Sequence, residues 1–398
     1  MTTNTVKDKK YIVKYKAITI YKRENVMKRI YNYLKKDAVL TISWVLAIIS
    51  MFFIKPDKAY AGYIDWRSLG ILWSLMIITK GYMQNGIFEK IGHALLTRTR
   101  KMWQLIAVLV GLNFFSSMII TNDVSLITFV PFAIMMLKQC GRQELMIPVV
   151  VLQTIAANLG SMLTPIGNPQ NLYLYGLAGK GIGEFIMWLL PYTIVSALLL
   201  VISILLIKNK NEIICIEDTD SEAAHNTLVP RVMAYSVLFI LALLVVARVL
   251  TWYILAAAVL ITVLLLEKNV LAKADYALLL TFIGFFIFTG NMGRVEPVAH
   301  FLAGIVNGRE LEVGIITSQC ISNVPAALLL SGFTDNIKNL SIGVNIGGLG
   351  TLIASMASLI SYKLYANEVP EKKEKYFAVF TVYNIIFLVV LYVFTKLI

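Results

Sequence analysis

Charge is scarce in this sequence. Of its 398 residues only 15% are Asp, Glu, Lys or Arg, where a soluble domain carries roughly 25%. Hydrophobic residues make up 58%, and mean hydropathy is +0.74. Those values exclude an ordinary soluble globular chain. The three cysteines, Cys140, Cys215 and Cys320, are scattered without metal-ligand spacing, which argues against both a disulfide framework and a Cys-held metal. Histidine is equally rare: His93 and His300 fall in amphipathic flanks and His225 in a polar stretch, so each reads as a solvated side chain. No nucleotide-binding motif occurs, so any ATP-driven cycle would need a separate subunit. A membrane-embedded hydrolase would need a Ser/His pair, paired carboxylates or metal ligands inside apolar sequence. Asp123 is the one acid placed deep in such sequence, and it has no second carboxylate. Neither enzyme chemistry nor a cofactor is expected.

Apolar runs are what the chain does have. A membrane helix needs about 20 residues. Runs approaching that length lie near 38–54, 68–83, 103–120, 124–137, 146–166, 184–207, 231–250, 252–266, 276–290, 311–330, 340–362 and 376–397. They predict an all-α polytopic membrane protein with about 10–12 membrane segments. The net charge of +13 would suit nucleic acid, but its distribution suits topology instead. Eleven basic residues lie in 1–36, before the first run. With a cytoplasmic N-terminus, 27 of the 36 basic residues fall on the inside and nine on the outside, the positive-inside bias. Besides 1–36, the inside then takes 80–101, Lys138, Arg142, Lys208, Lys210, Arg231, Lys268, Lys273, Lys363 and 372–375. Residues 1–26 lack an apolar core and a small-residue cleavage site, so they do not form a signal peptide. Met27 opens a sequence that leads straight into the first run, which makes it an alternative start.

The polar stretch 208–230 reads as a cytoplasmic linker and divides a first transmembrane unit, 37–207, from a second, 231–398. The two units share an order of features. Asp65 and Asp275 each open an apolar run. A polar triplet follows in each, Thr121-Asn122-Asp123 and Ser322-Asn323-Val324-Pro325. Then 158–175 aligns without gaps to 345–362, with Asn158/Asn345, Gly160/Gly347, Thr164/Thr351, Ile166/Ile353, Leu172/Leu359 and Tyr175/Tyr362 identical. An odd number of crossings separates the copies, so the expected plan is two inverted repeats, a plan of secondary carriers whose sites lie near the midplane.

Three constellations carry chemistry. A carboxylate at the bilayer centre costs roughly 2.5–3.5 kcal/mol on insertion scales. Asp123, beside Thr121 and Asn122, should therefore face protein, water or an ion, as Na⁺ coordination or proton carriage requires. Asn323 follows Ser322, and Pro325 removes a backbone donor and disfavours helix at Val324. In Thr164-Pro165-Ile166-Gly167-Asn168-Pro169-Gln170-Asn171, two prolines and three amides cannot continue the preceding helix. An unwound segment there offers carbonyls to a cation and a restarting helix offers N–H groups to an anion. Its mate supplies Asn345, Ser355 and Ser358 without a proline. Arg248, at the end of a run, is expected to snorkel to the interface.

TNDVSLITFVPFAI, TPIGNPQNLYLYG and SNVPAALLLSGF together resemble the ion-transporter superfamily of arsenite permeases, D-type sodium/proton antiporters, and citrate or divalent-anion/sodium symporters. The resemblance spans about residues 37–398. It implies re-entrant hairpins whose tips, with unwound segments of two broken helices, bind Na⁺ and substrate. Asn122 and Asn323 match the motif asparagines, and Thr121 and Ser322 their first residues. Asp123 and Val324-Pro325 depart from the symporter pattern toward the arsenite-permease and antiporter branch. The expected function is coupled transport of a small anion or oxyanion with Na⁺ or H⁺ across the cytoplasmic membrane. The alternative is Na⁺/H⁺ antiport at Asp123. Na⁺ is expected at Asn122, Asp123 and Asn323. Expected partners are a small inorganic or carboxylate anion and the lipid bilayer; a homodimer is compatible with this plan, and nucleic acid is not.

Overall fold

A computed structural model describes residues 38–96, 99–207, 212 and 229–398. The basic segment 1–36, the start at Met27 and nearly all of the 208–230 linker lie outside the described residues. Regular structure is helical. The first unit contains α1 (Ala38–Phe53), α2 (Trp66–Gln84), α3 (Ile87–Leu96), α4 (Met102–Ser116), α5 (Asn122–Gln139), α6 (Met146–Ser161), α7 (Pro169–Ala178) and α8 (Ile182–Leu206). The second contains α9 (Val229–Val246), α10 (Trp252–Leu266), α11 (Tyr276–Gly293), α12 (Glu296–Val306), α13 (Glu310–Ile321), α14 (Asn323–Leu330), α15 (Ile337–Ile346), α16 (Met356–Glu368) and α17 (Lys373–Thr395).

Helix starts follow from capping. The Asp65 carboxylate accepts the Ser68 N–H at 3.0 Å to open α2, and Asp275 accepts that of Leu278 at 3.0 Å to open α11. Each satisfies an otherwise orphaned N-terminal donor. Asn168 caps α7 in the same way through the Asn171 N–H, 2.9 Å away, with Pro169 at the first helical position, where its missing N–H costs nothing. That is why the run from 146 stops at Ser161 and restarts at Pro169. The run 340–362 also breaks, contrary to a single span: α15 ends at Ile346, and α16 begins only after Ser355, whose hydroxyl accepts the Ala357 N–H at 3.2 Å. Glycine rather than proline ends this helix, with Gly350 held at φ +103°, a conformation few other residues adopt.

Pro325 also sits differently from the sequence expectation. Val324 is helical and Pro325 lies in the first turn of α14, where its missing donor has no intrahelical partner to lose. Among the described residues four stretches are long and apolar enough to cross a membrane: Gln143–Ser161, Ile182–Leu206, Tyr276–Gly293 and Pro370–Thr395. Shorter apolar helices fill the rest.

Helix α6 is the centre of the packing. Every residue in it except Pro148 is buried, and α4, α5, α8, α16 and α17 surround it. The periphery is apolar and open: Leu205, Leu206, Leu265 and Val393 are all more than half exposed. In lipid such exposure is neutral, so close packing and polar contacts must hold the interior. Gly160 of α6 supplies one close approach, since a Cβ there would lie 2.1 Å from the Phe114 carbonyl oxygen and 2.7 Å from Ser117 Oγ. Helices of the two units also interleave. Helix α1 packs on α11 and α10 on α2, while α5 packs on α16 and α14 on α7.

Candidate functional site

The tips of the α4–α5 and α13–α14 pairs meet the two helix breaks. Asn122 donates its backbone N–H to the Gly167 carbonyl at 3.1 Å, and Asn323 donates its own to Ala354 at 2.9 Å. Thr164 Oγ1 donates to the Met118 carbonyl at 2.5 Å, and Thr351 Oγ1 to that of Gln319 at 3.3 Å. Each break is thereby tied to the hairpin of its own unit.

Side-chain amides then join the units to each other. Asn158 Oδ1 accepts from Asn122 Nδ2 at 3.2 Å and from Ser355 Oγ at 2.9 Å, while Asn158 Nδ2 reaches Ser358 Oγ at 3.4 Å. On the other side, Asn345 Oδ1 accepts from Asn168 Nδ2 at 3.1 Å, and Asn345 Nδ2 donates to Asn171 Oδ1 at 2.6 Å. Asn171 Nδ2 donates in turn to the Met162 carbonyl at 2.7 Å and to that of Thr164 at 3.2 Å. These groups are buried, and a buried amide left without partners costs about 1–3 kcal/mol. The network fixes the broken helices against one another.

The tips differ in detail. Ser322 is held at φ +76° and ψ 154°, a region that costs of order 1–3 kcal/mol for a residue with a side chain. Gln319 secures the neighbouring break: Nε2 donates to the carbonyls of Gly347 at 2.8 Å and Leu349 at 2.9 Å, and Oε1 accepts the Thr351 N–H at 2.9 Å. In the other hairpin Ser125 bonds Asn113 Oδ1 at 3.0 Å and Ser116 at 2.8 Å. Asp123 is partly buried in the first turn of α5, and its Oδ1, shielded from solvent, receives no hydrogen bond. Gln170 is 1% exposed and its Oε1 is likewise without a donor.

A profile of the citrate transporter (CitMHS) family matches residues 26–339. The chain belongs to that family. It is thus a multi-pass membrane protein of a transporter family within the ion-transporter superfamily. Among its relatives, an uncharacterized transporter of Methanocaldococcus jannaschii, MJ0456, is 32% identical over 82% of this chain and 88% of its own length. The inner membrane protein YbiR of Escherichia coli is 28% identical over 80% and 86% respectively. The silicon efflux transporter LSI3 of rice is 31% identical over a shorter region, 35% of this chain and 28% of that protein.

Of the residues anticipated for this family site, Asn122, Thr164, Gly167, Asn168, Asn171, Ser322, Asn323, Asn345, Ser355 and Ser358 all lie in the hydrogen-bonded region just described. Thr121 precedes α5, and Pro325 is buried in the first turn of α14. Two members of the network, Asn158 and Gln319, are not among the site residues the sequence singles out. Asn158 is legible there, because it is identical to Asn345 in the gapless alignment; Gln319 aligns with nothing polar. A second shielded acid lies at the start of α13, outside the apolar runs. Glu310 is 4% exposed and accepts from the Gly308 N–H at 2.9 Å and Thr334 Oγ1 at 3.0 Å. Arg248, rather than simply snorkelling, donates to the Tyr175 carbonyl at 3.2 Å and lies 5.1 Å from the centroid of that ring.

Proposed function

We propose that this protein is a secondary active transporter that moves a small anion or oxyanion across the cytoplasmic membrane, coupled to Na⁺ or H⁺. We further propose that it is built from two inverted repeats with re-entrant hairpins. One observation carries this reading: the hydrogen bonds of the site are paired under a constant shift in numbering. Gly167 and Ala354 are 187 positions apart, as are Thr164 and Thr351, Asn158 and Asn345, Asn168 and Ser355, and Asn171 and Ser358. The hairpin partners Met118 and Gln319, and Asn122 and Asn323, are 201 apart. Asn158 reaches the cap of α16, and Asn345 reaches the cap of α7. Such a crossed exchange is what a two-fold relation between repeats produces, and repeats of this kind suit alternating access around a shared site.

The amide and hydroxyl oxygens of Asn122, Asn323, Ser322 and Thr121, with the Asp123 carboxylate, form a donor set suited to a hard monovalent cation. The restarting helices α7 and α16 present N-terminal N–H groups suited to an anion. The names of the family and of the rice silicon transporter favour a small carboxylate or oxyacid. A second reading, Na⁺/H⁺ antiport, is favoured by the Asp123 Oδ1 that lacks a donor, since a carboxylate that must load and unload a cation is best left unpaired.

Sidedness follows the basic-residue bias, with the N-terminus and linker cytoplasmic and the C-terminus outside. The ion pairs support the grouping of segments by side. Lys138–Glu368 and Arg231–Glu267 each join segments assigned to the inside, and Arg294–Asp57 and Lys396–Glu312 segments assigned to the outside. The decisive experiment is flux in proteoliposomes under imposed Na⁺ or pH gradients, against citrate, other carboxylates and inorganic oxyanions. Accumulation above equilibrium under one gradient is expected. Flux that follows only the solute's own gradient, or no flux beyond a pure Na⁺-for-H⁺ exchange, would overturn the first reading. Labelling of an Asp220→Cys variant in intact cells by an impermeant thiol reagent would overturn the topology.

A further inference from the structure

Helix α4 packs on α6, and another of its faces lines a cavity of about 770 Å³ that α3 and the first half of α9 close from across the gap. Ala107, Gly111, Phe115 and Ile119 line it at every fourth position, the spacing of a single helical stripe. Gly111 has no neighbour within 4 Å of where a Cβ would stand, so it opens the cavity floor rather than admitting a packed helix as Gly160 does. Three hydroxyls interrupt the apolar wall, and each hydrogen is engaged. Tyr82 donates to Ser236 at 3.1 Å and Ser236 to the Val232 carbonyl at 2.9 Å. Ser116 donates to Ser125 at 2.8 Å, since Ser125 gives its own hydrogen to Asn113 Oδ1. A buried water needs several polar partners, so this wall suits an apolar occupant. Ile91, Phe115 and Ile119 line the cavity and are also exposed, so its mouth opens on the hydrocarbon of the bilayer.

Positive charge gathers at one end. Ala107 follows Lys101 by six residues, about 9 Å along the helix axis. Arg100 and Lys101 are exposed and form no ion pair among the described residues. Residues 80–101 hold five basic side chains and one acid, Glu89. Glu212, whose carbonyl accepts the Met102 N–H at 3.0 Å, has its carboxylate on Arg142. We propose that the cavity holds one acyl chain of an anionic phospholipid whose headgroup phosphate sits on Arg100 and Lys101. The chain lies along the α4 stripe toward Ile120, the residue before Thr121, and fills the gap between the hairpin and α9. An apolar chain gains little by leaving other lipid, so the two cations supply the selectivity. With the sidedness proposed above, the lipid comes from the cytoplasmic leaflet, whose surface is anionic.

The test reads lipid binding by the purified full-length protein, so it depends on neither the substrate nor the coupling ion. Protein equilibrated with equal amounts of phosphatidylglycerol and phosphatidylcholine is weighed by native mass spectrometry. Wild type should retain phosphatidylglycerol over phosphatidylcholine by about tenfold or more, from the two charges. Arg100→Gln combined with Lys101→Gln should bring that ratio near one, and both side chains are exposed, so folding should hold. Gly111→Phe fills the stripe from within and should abolish retention. Equal retention of the two lipids by wild type overturns the proposal, as does an unchanged ratio in the double variant. Undiminished retention in Gly111→Phe protein that melts like wild type overturns it too. Should Gly111→Phe not fold, Ala107→Leu on the same stripe gives the same reading. A dimer that Gly111→Phe dissociates, with no lipid retained by wild type, would mean that a second copy covers the cavity, and the lipid proposal fails.

Discussion

In the first hairpin the residue after the motif asparagine is Asp123; in the second the same place holds Val324, with Pro325 behind it. Both asparagines nonetheless donate their backbone N–H to the carbonyl of the neighbouring break, at 3.1 and 2.9 Å. The breaks differ as well. Pro165 and Asn168 mark the first, at 162–168, while three glycines and Ser355 mark the second, at 347–355. Backbone geometry is therefore held in common and charge is given to one side. The two hairpins thus make equivalent backbone hydrogen bonds while only one of them carries a titratable group at this position. That division of labour yields a graded set of expectations, because substitutions at paired positions should agree where the scaffold is shared and diverge where the chemistry is not.

The largest divergence is expected at Asp123 and Val324. Asp123→Asn should reduce coupled transport on the order of 100-fold, the loss of about 2.7 kcal/mol of stabilisation, while Val324→Ala should change it by less than about threefold. Removing the charge lowers the insertion cost, so expression of Asp123→Asn should hold or improve, and size-exclusion profiles in detergent would separate lost function from misfolding. Wild-type rates and cation dependence in Asp123→Asn would remove the carboxylate from the mechanism.

Next in size are the paired glycines. A Cβ on Gly160 would meet the Phe114 backbone oxygen at 2.1 Å, whereas one on Gly347 would meet Ser318 Oγ at 2.8 Å and the Gly343 oxygen at 2.9 Å. Phe114 and Ser117 stand to Ile315 and Ser318 as Asn122 does to Asn323, 201 positions apart. Overpacking costs about 1–3 kcal/mol, and a side-chain hydroxyl yields more easily than a backbone carbonyl. Gly160→Ala should therefore lower the melting temperature more than Gly347→Ala does. Equal losses would mean that the two approaches are equally tight in the folded protein.

A smaller contrast concerns the paired threonines. Thr164 Oγ1 reaches its carbonyl at 2.5 Å in a partly buried setting, and Thr351 reaches its own at 3.3 Å where it is exposed. A typical net hydrogen bond contributes about 0.5–1.5 kcal/mol. Thr164→Val should cost near the top of that range and Thr351→Val near the bottom, by thermal or denaturant melting.

Much of this architecture is legible in the sequence, and for identifiable reasons. Asp65 and Asp275 mark helix starts because a carboxylate before an apolar run is a capping signal, and both cap. Prolines 165 and 169 announce the first break. The second break hides within an apolar run because Gly347, Gly348 and Gly350 interrupt a helix without lowering its hydrophobicity. Asn158 can be inferred from its mate Asn345. Gln319 and Glu310 cannot, since their importance lies in which segments fold against them, and no local pattern encodes that.

The smallest expected effect lies at the surface, in the pair Asp57–Arg294, 2.8 Å apart. The Arg294 guanidinium, through its hydrogen bond above all, holds the Asp57 carboxyl below its ordinary range, helped by the Ala59 and Tyr60 N–H groups. Arg294 also bonds Tyr63 at 2.8 Å, and Tyr63 packs on Gly290 of α11, so the pair ties the 54–65 loop to α11. A depressed carboxyl contributes stability that is present above its unfolded value, about 3.9, and lost as pH falls through the folded one. The contribution should therefore be constant through neutral pH and fade only in acid. Both groups are open to solvent, so salt screens them, and exposed pairs contribute little. Asp57→Asn should lower the melting temperature slightly at neutral pH and low salt, with the difference from wild type closing as pH drops below about 4 or as salt rises. The Arg231–Glu267 pair gives the comparison its edge: its carboxylate is 13% exposed and is shared with Tyr235 and Asn85. Glu267→Gln should therefore cost more than Asp57→Asn, and the deficit should persist in salt. A reversed order would mean that the loop 54–65, rather than the Glu267 cluster, is the stronger tie between the two units.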